Sequence, residues 1–140
     1  MELQVLGGRV EIDESPLDVA ATEVRRQIRG YERGDRREFA LQVTFPDSFT
    51  GRVMRAMAEI PYGETRTYGE LASVLDTAPV AVGQGAGRNP VPIVVPCHRV
   101  VAADALGGYS AAGGQALKRR LLEHEGALGN QQARAPAGQN

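Results

Sequence analysis

Pro90, Pro92 and Pro96 fall within seven residues and remove three backbone donors, so the run from Asn89 to Val100 cannot be a regular central strand. Each proline also biases the residue before it toward extended geometry. Val91, Ile93 and Val95 alternate with Pro92 and Val94, which suits a segment buried in extended form. The run therefore reads as a stiff, extended shelf. It leads directly into Cys97-His98-Arg99-Val100, and Cys97 is the only cysteine of the chain.

A structural cysteine needs only apolar neighbours, and cysteine is readily buried. A reactive one needs a group that favours its thiolate, because a thiol titrates near ~8.5 and is mostly protonated at neutral pH. His98 is the neighbouring candidate. Adjacent side chains of extended chain point to opposite faces, so His98 reaches the Cys97 sulfur directly only if the chain turns there. Further on, Leu117, Leu121 and Glu125 are spaced four apart and Leu122 widens their stripe, which points Glu125 toward the core. A buried carboxylate demands a donor, and His98, one of two histidines, is the attractive one. The alternative is a surface glutamate at a helix end stopped by Gly126.

With 140 residues and 42% hydrophobic content, the chain can form one main core. It has no long apolar span and no signal-peptide pattern, so it reads as soluble, without a membrane association, and cytoplasmic. A single cysteine excludes an intrachain disulfide and suits a reducing compartment. No paired Cys or His spacing points to a metal, and no motif calls for a cofactor.

The elements divide into two parts. Leu3, Val5, Val10 and Ile12 flank a hairpin around Gly7-Gly8. Leu17, Ala21, Val24, Ile28 and Tyr31 repeat at helical spacing up to a stop at Gly34, and Phe39, Leu41, Val43 and Phe45 alternate as a half-buried strand. From Thr50 the pattern turns helical: Val53, Met57 and Ile60 form one stripe, ended by Pro61. Thr67 and Glu70 have capping-box spacing at the start of a helix whose apolar face is Tyr68, Leu71, Ala72 and Leu75. After Asp76-Thr77-Ala78, Pro79 opens another helix toward Gly87, and the pair reads as a helix-turn-helix. Ala81, Gly83, Gly85, Ala86 and Gly87 are poor helix formers that let another backbone approach closely, whether the shelf or a nucleic acid. The tail after Leu128 is polar and aperiodic and reads as disordered.

From about Phe49 to Gly126 three ordered segments, Ile60 to Ala72, Asn89 to Val100, and Gly108-Tyr109-Ser110 followed by Lys118 and Leu121 to Gly126, resemble the O6-alkylguanine-DNA alkyltransferases, also called methylated-DNA-protein-cysteine methyltransferases. The resemblance implies an α+β fold: a shortened N-terminal region over 1–47 serving as support, an alkyltransferase DNA-binding and catalytic domain over 48–128, and a tail over 129–140. It implies a monomeric suicide enzyme, active once, that moves the alkyl group of O6-alkylguanine in double-stranded or single-stranded DNA to Cys97. His98 would accept the thiol proton through water while Glu125 orients the imidazole. Tyr68 would donate to the purine, Val100 and Ser110 would read base edges through their backbone, Tyr109 would wall the pocket, and Asn89 would brace the turn into the shelf. DNA contacts would fall at Thr50, Gly69, Val80, Ala81 and Arg88, with the second helix of the pair in the minor groove.

Charge is neutral on this point. Residues 1 to 50 carry ten acids against seven arginines, and residues 51 to 99 carry four acids against five arginines. Arg52, Arg55, Arg66 and Arg88 are the candidates for phosphate contacts. The chain departs from the resemblance at Val80, where the family carries an arginine that fills the space left by an extruded base. An apolar wedge lacks that arginine's hydrogen bonds, which puts efficient repair of paired duplex in question. Two other readings stand beside transfer: a relative that binds alkylated bases without accepting the group, in which the cysteine is replaced, and a Cys-His hydrolase, for which no oxyanion loop stands out.

Overall fold

In the computed structural model, which describes residues 1–107 and 114–127, the chain is α+β. Strands β1 (Glu2–Val5) and β2 (Gly8–Glu11) pair antiparallel, with Leu3 opposite Val10. The two-residue loop is Leu6-Gly7, both at positive φ, rather than Gly7-Gly8. Gly8 belongs to the strand, paired with Val5, and lies against Leu117 so closely that a Cβ would sit 2.9 Å from that side chain.

Helix α1 (Ala21–Arg33) buries Val24, Ile28 and Tyr31 and ends at Gly34 as its spacing predicts. Leu17 precedes the helix and instead forms an isolated antiparallel bridge with Val43. Beyond that bridge, the expected strand over Phe39, Leu41, Val43 and Phe45 is absent. The four side chains are half-buried with exposed residues between them, so the alternation is present. What is missing is a neighbour to make a ladder: Thr44 N bonds Pro16 O, and Ala40 bonds the Gln27 side chain through both its N–H and its carbonyl.

Ser48 caps α2 (Phe49–Ala58), which buries Val53, Met54 and Met57. Thr67 and Glu70 close the expected capping box on α3 (Tyr68–Leu75), and Pro79 stands at the start of α4 (Pro79–Gly87). Helix α4 divides its small residues between two faces. Val82 and Gly85 are buried, and a Cβ on Gly85 would lie 2.7 Å from Val53 Cγ2, so this glycine is required where α4 crosses α2. Val80, Gln84 and Gly87 are exposed along the other face.

The Pro-rich run is not the extended shelf its composition predicts. Ile93 takes φ 75, Val95 N bonds Val91 O, and Pro92 bridges Val95, so the run folds back on itself. Proline restricts its own φ and its predecessor, and neither restriction reaches Ile93. A β-branched residue in the left-handed region is strained and persists only where its surroundings over-determine it. Asn89 does this from both sides: its Nδ2 donates to Val95 O at 2.9 Å and its Oδ1 accepts from Val91 N at 3.1 Å. Pro96 (φ -80, ψ 70) then makes an inverse γ-turn, with Cys97 N bonded to Val95 O.

After the 3-10 turn Cys97–Arg99, strand β4 (Val100–Val101) pairs parallel with β3 (Arg66–Thr67), which sets the start of α3 beside the turn. Helix α5 (Gly114–Glu125) closes the core with Leu117, Leu121 and Leu122. One hydrophobic cluster runs continuously from Leu3 to Leu121, through both parts of the chain. No helix among the described residues is long and apolar enough to cross a membrane.

Candidate active site

The 3-10 turn holds Cys97, His98 and Arg99 inside the protein, with Cys97 8% exposed and His98 fully buried. Because the chain turns here, neighbouring side chains are no longer forced to opposite faces. Glu125, inward-facing as its helical spacing predicts, receives His98 Nε2 on Oε2 at 2.8 Å.

The carboxylate has further partners. Arg99 donates Nε to Oε1 at 2.8 Å and Nη2 to Oε2 at 3.0 Å, while its Nη1 reaches Ile60 O at 2.7 Å. Tyr31, from α1, donates its hydroxyl to Oε2 at 2.7 Å. Burial opposes the Glu125 charge, yet the hydrogen bonds from His98 and Arg99 outweigh it and hold the carboxyl well below its usual range. An ionised carboxylate only accepts, so His98 Nε2 carries the proton of this bond. In the neutral imidazole Nδ1 is then the acceptor, and among the described residues it has no hydrogen-bond partner. Burial lowers the His98 pKa, the bond to Glu125 opposes this, and Arg99 and Lys118 add to the lowering. The net effect favours the uncharged ring.

Lys118 is fully buried in α5, inside the stripe of Leu117, Leu121 and Leu122. Its Nζ donates to Val100 O at 2.6 Å and sits 5.7 Å from the centre of the Tyr68 ring. Burial pulls its pKa down to about 8, against an opposing effect of Cys97. Tyr68, in the first turn of α3, is also packed against Gly107. That residue has φ 77, and a Cβ on it would come within 2.9 Å of the Tyr68 hydroxyl. The Val100 carbonyl and Tyr68 thus flank the cysteine turn, and Asn89 braces its approach. Tyr109 and Ser110 lie outside the described residues.

On the helix-turn-helix, Gly69, Val80 and Arg88 are exposed, and Thr50 and Ala81 half-buried. Val80 is 73% exposed and Val74 77%, the two most exposed large apolar side chains among the described residues. Three of the arginines read as phosphate contacts are engaged within the protein. Arg52 donates to Leu75 O, Arg66 pairs with Glu64, and Arg55 stacks over Phe45. No group of three or more His, Cys, Asp or Glu that could hold a metal occurs among the described residues.

Tyr31, Arg99 and Lys118 are given no role at the site by the sequence reading. Lys118 left a signal, a lysine within an apolar helical stripe, and Arg99 adjoins the histidine. Tyr31 reads only as one more core position of α1.

Cys97, His98 and the buried carboxylate that His98 meets thus stand together in one turn and its partner helix, the residue types from which a nucleophile, base and orienter can be built. Residues 48–127 match the family described as 6-O-methylguanine DNA methyltransferase, DNA binding domain. The chain is 43% identical over 110 residues to the methylated-DNA--protein-cysteine methyltransferase of Archaeoglobus fulgidus, covering 75% of each. It superposes on Mycobacterium tuberculosis OGT in complex with DNA at TM-score 0.76 and 32% identity, over 90% of this chain and 91% of that one. It also resembles Schizosaccharomyces pombe Atl1 in complex with damaged DNA containing O6-carboxymethylguanine, at TM-score 0.51 and 32% identity over 58% of this chain and 78% of that one. The chain belongs to the 6-O-methylguanine DNA methyltransferase family.

Proposed function

We propose that this chain is a DNA-repair alkyltransferase that acts once, with Cys97 as the acceptor of the alkyl group of O6-alkylguanine. The observation that carries the reading is the His98 to Glu125 bond at 2.8 Å, which leaves the imidazole with a bare, buried Nδ1 beside the thiol's own turn. His98 takes the thiol proton through a bridging water. The thiolate attacks the alkyl carbon, a C–S bond forms, the C–O6 bond breaks, and the electron pair leaves with the purine. Tyr68 donates toward the departing base and lowers the energy of its anion. The second lone pair of the Val100 carbonyl reads a base edge, Asn89 holds the approach to the thiol, and the resemblance gives the remaining base contacts to Tyr109 and Ser110. The guanine is reached by extrusion from the duplex.

Thr50, Gly69, Val80, Ala81 and Arg88 form the DNA face of the 48–128 catalytic part, with 1–47 as its N-terminal support. The small exposed positions of α4 support a minor-groove approach. A single thiol that must stay reduced to act favours a cytoplasmic setting. The presence of Cys97 favours transfer over binding alone.

Intact-protein mass spectrometry after incubation with an oligonucleotide containing O6-methylguanine tests the reading. One methyl group per chain, mapped to Cys97 and lost in Cys97→Ala, is the expected result. Retention of the oligonucleotide with no mass gain makes the chain a binder, and repeated turnover makes it a hydrolase.

A further inference from the structure

Glu125 Oε2 receives three donors: Tyr31 at 2.7 Å, His98 at 2.8 Å and Arg99 at 3.0 Å. Of these, Tyr31 is the one that comes from the N-terminal part, 94 residues away in sequence. Its ring is fixed by Phe39, His124 and Tyr62 with centroids at 5.7, 5.0 and 6.2 Å, and its backbone carbonyl meets His124 Nε2 at 2.8 Å. A tyrosine so held has little freedom to aim its hydroxyl elsewhere.

We propose that Tyr31 is a positioning residue of the proton relay, whose hydroxyl takes up part of the Oε2 charge and so keeps His98 a neutral acceptor. The inference rests on the relay reading above. A buried carboxylate held by histidine alone stabilises the imidazolium strongly, and an imidazolium accepts no proton from a thiol. Each further donor on the same oxygen withdraws charge from that bond. Arg99 does this with a full charge, and Tyr31 with an oriented dipole. The charged groups acting on His98 are Glu125, Arg99 and Lys118, and Lys118 in turn faces Cys97. Those facing the Tyr31 end are Glu125, Arg99, Tyr62 and His124, with Arg37 over Tyr62. None of these other groups takes the place of the hydroxyl on Oε2. The N-terminal part thereby enters the chemistry, where sequence alone assigns it only support.

Tyr31→Phe removes the hydroxyl and keeps the ring. With less charge withdrawn from Oε2, the His98 imidazolium is better stabilised, so its titration, followed by NMR, moves to higher pH by about half a unit; on the acid limb the single-turnover rate falls about threefold and recovers at higher pH. 3,5-Difluorotyrosine placed at position 31, a stronger donor of nearly the same shape, moves the titration the other way. Phe39→Leu loosens the ring's packing but keeps the hydroxyl, and leaves the titration where it is while lowering the melting temperature. An unmoved His98 titration in Tyr31→Phe, or an equal shift in Phe39→Leu, overturns the proposal and leaves Tyr31 a core hydrogen bond. The NMR readout needs no alkyl transfer, so absence of transfer would count against the proposed function and not against this inference.

Discussion

Lys118 and Val100 are joined by a 2.6 Å hydrogen bond from ammonium to backbone carbonyl, and this fixes a buried cation beside the turn that carries the thiol. A neighbouring cation favours a thiolate, so Lys118→Met is expected to slow alkyl transfer on the order of tenfold while the helix stripe accepts the apolar side chain. Stability carries a separate signature. The folded pKa, about 8, lies below the ordinary 10.5, so between those values the unfolded chain binds the proton that the folded one has released. Stability from this group therefore rises with pH through that window. Melting temperatures from pH 7.5 to 10.5 should move in favour of the parent relative to Lys118→Met; parallel curves would show that the lysine titrates normally.

Glu125→Gln keeps the shape but removes the charge that Arg99 and His98 share. Transfer should slow, with DNA affinity little changed, because the base loses its orienter. The change leaves Arg99 buried without a counter-charge, and breaking a buried pair in this way costs about 3–5 kcal/mol. The parent carboxyl is depressed, so its contribution is present above the unfolded value of about 4.3 and is lost as pH falls through the folded value. The gap in melting temperature should accordingly shrink on acidification below pH 4. Equal single-turnover rates for parent and variant at neutral pH would reduce the carboxylate to a structural role.

Val80, 73% exposed at the start of α4, is the position at which the family resemblance implies an arginine. Unstacking costs a few kcal/mol in paired duplex and much less in mismatched or single-stranded DNA, so the parent should react faster with the latter. Val80→Arg should speed reaction with paired duplex more than with single strands, since the vacated stack exists only in a duplex. Single-turnover rates on both substrates decide the matter, and an equal response would assign base extrusion to another residue.

Gly85→Ala tests the crossing of α2 and α4. The new Cβ would meet Val53 Cγ2 at 2.7 Å. Overpacking costs about 1–3 kcal/mol, against a helix-propensity gain of about 1 kcal/mol. A net loss is expected from urea melts, and Val53→Ala in the same chain should recover part of it. Additive losses would mean that the two positions do not touch.

What was legible in the sequence was local. Thr67 and Glu70 announce their helix because a capping box is completed within three residues, and Glu125 announces its direction because helical spacing alone sets it. The fold-back at Ile93 was hidden, since prolines constrain themselves and their predecessors while Asn89 acts from four residues away through its side chain. The segment from Phe39 to Phe45 showed its exposure pattern but not its missing neighbour, because a ladder depends on a second segment. Arg99 was in view beside His98, yet its pairing with Glu125 spans 26 residues, and that of Tyr31 spans 94. No window of sequence contains such a pair.

The engagement of Arg52, Arg55 and Arg66 with the protein's own carbonyl, ring and carboxylate bears on how the chain meets DNA. Affinity that comes from phosphate contacts arises largely from displaced counterions and decays steeply with ionic strength. Arg52 and Arg55 remain exposed and Arg66 half-buried, but each already has a partner within the protein and so has less to offer a phosphate. Encounters with undamaged duplex would owe less to counterion release than those of a strongly basic DNA binder, and residence time would come from the damaged base once it lies in the pocket, so discrimination rests on the lesion rather than on the polyanion that carries it.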